Sequence, residues 1–264
     1  RIEPYLGSAV AGQQQLQQAL RRLPADAKDL HYHFLIDRAR LEALRHHYGT
    51  ALQTLQAVET APAARHLPRV RMRLFLYRGQ VRALLGDDAA VADLRAAADD
   101  AARLSLPTYA ARAQLYLGER ALRHGDREGA RTWLEGARTL AASGGDQLAA
   151  AFIALALADL GVPDDGLEER VRALGMPSLR AAFECVRSDR LRKAGLDEDA
   201  RAVAEAALAA AAGSDLPLSI HLRLLATAER RATARSLLQQ IAERLPRRSM
   251  RRRLLAEWRE ATRI

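Results

Sequence analysis

The chain contains no asparagine, one cysteine (Cys185) and two lysines (Lys28 and Lys193). A lone cysteine excludes an internal disulfide. No apolar run approaches the roughly 20 residues of a membrane-spanning helix, and no secretory leader pattern opens the chain, so a cytoplasmic location is expected and no membrane partner. Aromatic residues make up only 5% of the total, which leaves few rings to stack on nucleic-acid bases. Strand signals are equally scarce, because the β-branched residues are scattered and no apolar/polar alternation lasts more than a few positions. A phosphate-binding loop ending in Gly-Lys is excluded, since Ala27 precedes Lys28 and Arg192 precedes Lys193. The metalloprotease, nucleophile-elbow and paired-cysteine signatures are also missing, so nothing supports catalysis and no enzyme activity or cofactor is expected. The shortage of lysine and asparagine fits a GC-rich coding sequence, and much of the +9 formal charge then needs no functional cause.

What is present is alanine and arginine in abundance, with 49% hydrophobic residues spread over 264 positions. Alanine is the best helix former and lets helices approach closely, which predicts an all-α chain of helices packed on helices. The strongest internal pattern is a unit of 34 to 40 residues. Its clearest copy runs Leu117-Gly118, Ala121, Gly125-Asp126, Ala130, Leu134, Ala137. That order describes a helix, a Gly-Asp turn and a second helix with small or apolar residues on one face.

The second-helix signature returns as Gly12, Leu16, Ala19, then Ala51, Leu55, Val58, then Ala200, Ala204, Ala207, and Ala234, Leu238, Ile241. Two copies look degenerate: Arg95 interrupts Val91 and Ala98, and Arg170 interrupts Gly166 and Ala173. First helices carry a small residue where the two helices of a pair must touch, at Ala39, Gly79, Gly118, Ala154 and Ser188, with Leu222 departing from the pattern. Turns are marked by Gly86-Asp87, Gly125-Asp126, Gly161-Val162-Pro163 and Gly195.

This pattern resembles the tetratricopeptide repeat over about residues 12–246, and its long early spacings are similar to the divergent repeats in the sensor arms of maltose-activator-type bacterial regulators. The resemblance implies a right-handed superhelical solenoid of helix-turn-helix hairpins over residues 1–246, closed by a C-terminal capping helix over 247–264 of the same domain. Met250, Leu254, Leu255 and Trp258 are expected on the inner side of that cap. Gly12 to Pro24 has the character of a second helix with no room for a first-helix partner in Arg1 to Leu6, so more protein is expected upstream.

The resemblance also implies that first helices line a concave groove. Carried over by position, the groove comprises His33, Ile36, Arg40, Arg73, Leu76, Gln80, Leu115, Glu119, Arg123, Asp189, Arg192 and Arg223. Its arginines suit an acidic or carboxylate-ended peptide. Chaperone cofactors of this fold clamp a carboxylate with asparagines, and a chain without asparagine argues against that partner class.

The expected function is therefore a protein–protein interaction scaffold within a larger bacterial regulatory or signalling protein. Two alternatives stand beside it. One is a nucleic-acid-binding solenoid using Arg247, Arg248, Arg251, Arg252 and Arg253 for phosphate contacts. The other is a sensor arm closing around a small ligand. His31, His33, His46 and His47 fall in two pairs about 20 Å apart along one helix, so they cannot share a metal ion. His46 and His47 are expected in the last turn of that helix, where the dipole favours the charged imidazole. Asp99 and Asp100 are expected on a solvated face, Asp164 and Asp165 at a turn, and Cys185 as a small buried hydrophobe.

Overall fold

A computed structural model describes residues 9–24 and 27–259. Among these residues there are fourteen α-helices, one short 3-10 turn and no strand. After α1 (Ala9–Arg21), the helices follow in six pairs. These are α2 (Lys28–Leu44) with α3 (Tyr48–Thr60), α4 (Pro68–Leu84) with α5 (Ala89–Arg103), and α6 (Pro107–Arg123) with α7 (Arg127–Gly144). They continue as α8 (Gln147–Asp159) with α9 (Leu167–Leu174), α10 (Pro177–Lys193) with α11 (Asp197–Ala210), and α12 (Leu218–Thr227) with α13 (Arg231–Glu243). The last helix is α14 (Arg248–Glu257). The expected partner ahead of Gly12 and the end of the cap beyond Arg259 lie outside the described residues.

Local chemistry sets the boundaries. Pro68, Pro107 and Pro177 open α4, α6 and α10, where a missing N–H costs nothing. Asp126 and Asp146 cap α7 and α8 by accepting from the backbone N–H of Gly129 (2.8 Å) and Ala149 (3.1 Å). Inside each pair the turn closes on one residue in the left-handed region: His46, Gly86, Gly125, Gly161, Gly195 and Glu229, at intervals that shorten from 40 to 34. Four are glycine, for which this conformation is nearly free. His46 (φ 61°) and Glu229 (φ 56°) hold it with a side chain, at a cost of roughly 1 kcal/mol each. These two turns carry no glycine signal and escape the sequence pattern.

Packing explains the small residues on the first helices. A methyl at Gly118 would sit 2.7 Å from Leu134 Cγ, and one at Gly79 would sit 2.7 Å from Leu94 Cγ. In both pairs a glycine on one helix receives a fully buried leucine of the other. Beside the Gly79 contact, the Arg78 guanidinium makes two hydrogen bonds to Asp93 (2.9 and 2.7 Å), and Arg82 a third (2.6 Å).

Two second helices differ from expectation by one residue. In α5 the inner face is Ala90, Leu94, Ala97 and Ala101, all buried, while Arg95 is exposed. In α9 it is Leu167 and Val171 with Leu174 packed beside them. A slip of one position turns a helix by about 100°, so the series Val91-Arg95-Ala98 and Gly166-Arg170-Ala173 lie to the side of the contact face. Neither copy is degenerate. Asp100 also departs from the solvated face assigned to it. It is buried and takes both Arg71 nitrogens at 3.0 Å together with Arg103, while Asp99 stays exposed.

The first helices form one continuous row, with the second helices packed along it. Each first helix touches the next, α2 to α4 to α6 to α8 to α10 to α12, and each second helix also packs on the first helix that follows it. The C-terminal helices do more than cap the last pair. Leu218, Leu222, Leu238, Ile241, Met250, Leu254 and Trp258 share one buried core with Ile36, Leu55, Tyr77, Leu85 and Leu94. The Trp258 indole N–H donates to the Leu84 carbonyl at 2.9 Å, and Pro246 Cδ lies against Gly49. Leu255, expected inside, is 38% exposed because it follows Leu254 by one position and so points away.

Candidate functional site

The first helices and the returning C-terminal segment surround a cavity of about 170 Å³. One water needs roughly 10–15 Å³ of such space, so the cavity has room for on the order of ten waters. Its lining obeys a register. Measured from the small contact residue of α2, α4 and α6, the next residue and the one a turn further both face it. These are Arg40 and Leu44 on α2, Gln80 and Leu84 on α4, and Glu119 and Arg123 on α6. Spacing of four residues places each pair on one stripe of its helix. Phe152 of α8, Pro177 at the start of α10, and Leu218 of α12 complete the wall, with Asp215 at its edge.

Beside the α2–α6 stripe lies a half-buried polar floor. His33, Arg73 and Arg112 each stand six residues before the contact position of their helix, so they stack as a ladder across α2, α4 and α6. Arg73 Nη1 lies 2.9 Å from His33 Nδ1, and its Nη2 donates to Asp37 at 2.5 Å. Arg112 binds the capping carboxylate of Asp146 through Nε (2.9 Å) and Nη2 (2.8 Å). The Arg40 guanidinium lies 4.9 Å from the centre of the Tyr77 ring and 3.4 Å from Asp37. The buried Tyr77 hydroxyl has no hydrogen-bond partner.

Electrostatics follow from that crowding. Burial pulls the Arg40 pKa below its ordinary value, with Arg112 and Arg73 adding to the effect. Burial opposes charge on Arg112 too, but Tyr77 and Asp146 outweigh it and raise the pKa. Burial and the Arg73 charge lower His33, so its ring is favoured neutral. Burial raises Asp37 despite Arg73, and burial raises Glu119 despite Arg123. His46, at the cavity edge, falls to about 4 through burial and the nearby His221, His47 and Arg244. The helix-end expectation for this residue had the opposite sign. His46 lies beyond the last residue of α2, in the turn, and the apolar surroundings win over the dipole.

The expected groove residues thus separate. Arg40, Gln80, Leu115, Glu119 and Arg123 line the cavity. Ile36 and Leu76 do not, since both are fully buried in the core, facing neighbouring helices and not the open centre. His33 and Arg73 are held in the floor. Asp189 and Arg223 belong to a different cluster, in which Arg223 binds Asp159 (2.7 and 2.8 Å) and Asp189, tying α8, α10 and α12 together. Arg192 is exposed and 3.6 Å from Asp189. Sequence reasoning missed Arg112, although its offset from Gly118 equals that of His33 from Ala39 and Arg73 from Gly79. It also missed Phe152 and the 214–219 segment, which the return of the chain brings in.

The C-terminal arginines divide as well. All five, Arg247, Arg248, Arg251, Arg252 and Arg253, are exposed, and two of them also bond within the chain. Arg251 Nε donates to the Leu245 carbonyl (2.9 Å), and Arg253 pairs with Asp87 (3.3 Å). Glu257 accepts from Arg123 Nε at 3.0 Å, joining α14 to the cavity wall. Cys185 is fully buried and its thiol is pushed up to about 12, chiefly by burial, so the reactive thiolate is suppressed. Among the described residues no group of three metal-ligating side chains comes together, and no helix is long and apolar enough to cross a membrane. Compared with known protein families and with curated proteins, the sequence matches no family model and no curated relative.

Proposed function

We propose that this chain is a tetratricopeptide-like helical-repeat binding module that holds a small ligand in the partly open pocket lined by its first helices, as the sensor arm of a larger regulator would. The observation that carries this reading is the lining register. Equivalent positions of three successive repeats converge on one space, and the returning segment adds Pro217 and Leu218 to its wall beside Ser214, Asp215 and Ser219. Largely apolar walls with a few convergent polar groups are the usual make-up of a small-molecule site.

The partner-peptide reading relies on the same helices but needs an open groove. Packing of α12–α14 against α2–α5 occupies part of the face that an extended peptide would follow. The phosphate-contact reading retains Arg247, Arg248 and Arg252, while Arg251 and Arg253 already serve contacts within the chain.

The test is a binding screen with small organic molecules of about ten heavy atoms, in neutral, anionic and cationic sets, against wild type and Phe152→Trp. The larger ring fills the cavity from the α8 side. Saturable one-to-one binding to wild type that Phe152→Trp abolishes, with unfolding temperature maintained, is expected. Absence of binding in all three sets, or binding indifferent to Phe152→Trp, would sink the proposal.

A further inference from the structure

Resting on that reading, we infer that the pocket takes a primary amine as its ammonium ion, with an apolar body of about ten heavy atoms, held at Gln80 and Glu119. The arginines that line the pocket are already matched within the chain. Arg40 lies 3.4 Å from Asp37 and 4.9 Å from the centre of the Tyr77 ring. Arg112 binds Asp146 at 2.9 Å, and Arg123 donates to Glu257 (3.0 Å) and to the Ala83 carbonyl (3.2 Å). An arriving anion would have to compete with those carboxylates. Glu119 is placed differently: its side chain lines the same pocket, yet it makes no hydrogen bond or ion pair among the described residues.

Register supplies the second acceptor. Gln80 and Glu119 each follow the contact glycine of their helix by one residue, and α4 and α6 touch. The Gln80 amide also makes no hydrogen bond among the described residues. A carboxylate and an amide oxygen therefore face the pocket from neighbouring helices with no donor to accept from. An ammonium carries three N–H donors on one small centre, enough for both. A carboxylate ligand would bring only acceptors and would meet Glu119 with like charge. Burial pushes the Glu119 carboxyl upward, Arg123 opposes that and Asp159 adds to it, so a cation brought beside it offsets a penalty the folded protein carries. Leu84 follows Gln80 by one turn and Leu115 precedes Glu119 by one turn, and both line the pocket. Hydrocarbon thus flanks the polar pair on either side, with the Phe152 ring across from it on α8.

The experiment titrates the full chain calorimetrically with phenethylamine, phenethyl alcohol and phenylacetate, which share a ring and differ in head-group charge. Phenethylamine is expected to bind one-to-one, the alcohol about tenfold or more weaker, and phenylacetate not at all. Glu119→Gln keeps the side-chain shape and removes the charge, so phenethylamine should weaken by about tenfold while the alcohol is unchanged. Gln80→Met removes the second acceptor and should weaken phenethylamine by about threefold. Glu119→Gln also relieves a buried carboxylate, so its unfolding temperature should equal or exceed that of wild type, which reports that it folds. The amine-to-alcohol ratio in wild type needs no variant. Equal binding of amine and alcohol, preference for phenylacetate, or amine affinity indifferent to Glu119→Gln or to Gln80→Met overturns the ammonium assignment while the pocket reading stands. Silence from all three probes also overturns it. The mixed-charge screen with Phe152→Trp then decides separately whether the pocket binds ligands of another class.

Discussion

Substituting Gly118 by alanine adds one methyl at the closest contact between α6 and α7. Helix propensity alone favours the change by about 1 kcal/mol. The added Cβ would lie 2.7 Å from Leu134 Cγ and 2.8 Å from Cδ2, inside the separations carbon atoms tolerate. Leu134 is fully buried and so has little room to move aside. Overpacking of this kind costs typically about 1–3 kcal/mol, so a net loss of about 1 kcal/mol is expected. Leu134→Ala alone opens a cavity and should cost about 3 kcal/mol. In the double variant the alanine methyl enters space that Leu134 has vacated, and the clash disappears. Its loss should therefore fall short of the sum of the single losses by about 1–2 kcal/mol. Urea unfolding followed by far-ultraviolet circular dichroism supplies the four stabilities, with a constant slope confirming that the same surface unfolds in each. Stabilisation by Gly118→Ala in the wild-type background, or strict additivity in the double variant, would refute the account of why small residues recur on the first helices.

Three other outcomes follow from the geometry. Trp258→Ala removes a buried ring and its bond to Leu84, a loss of about 3–5 kcal/mol borne mainly by the docking of α14; trypsin should then cut first near Arg247 and Arg248, and an unchanged cleavage rate there would count against the docking. His46 has a folded pKa of about 4 against 6.5 unfolded, so the unfolded state takes up the proton first as pH falls. Its contribution is complete above pH 6.5 and is lost towards pH 4, about 2 kcal/mol of it by pH 5. His46→Asn keeps a residue that tolerates the left-handed turn, and the stability difference from wild type should change by that amount between pH 7 and 5; a pH-independent difference defeats the assignment. Tyr77→Phe deletes a buried hydroxyl without a partner, so stability should hold or rise by about 1 kcal/mol, and a fall of that size on thermal unfolding would show a contact the structure lacks.

Part of the candidate site was legible from residue spacing. Once Ala39, Gly79 and Gly118 are recognised as contact positions, Arg40, Gln80 and Glu119 follow one residue later, and all three line the cavity. The same spacing placed Ile36, Leu76 and Leu115 three residues before the contact, where only Leu115 reaches the open space. Which of those positions faces a neighbour depends on how consecutive pairs rotate against each other, and no single repeat encodes that rotation.

The helical class, the paired-helix unit and most of its boundaries are determined by the chain's local order: alanine content, proline at helix starts, glycine in turns, and apolar residues three and four apart. These signals operate within one helix or one pair, over separations that the sequence displays directly. The face used by α5 and α9 was decided by packing, because Leu94 and Val171 fill the contact and Arg95 and Arg170 can then remain at its edge. The closure was decided only by tertiary structure. Trp258 meets Leu84 across 174 residues, and Glu257 meets Arg123 across 134. Contacts at such distances leave no periodic trace, since each depends on the accumulated turn of every pair between its partners. That closure brings a row of repeat positions to the wall of one shared, partly open pocket.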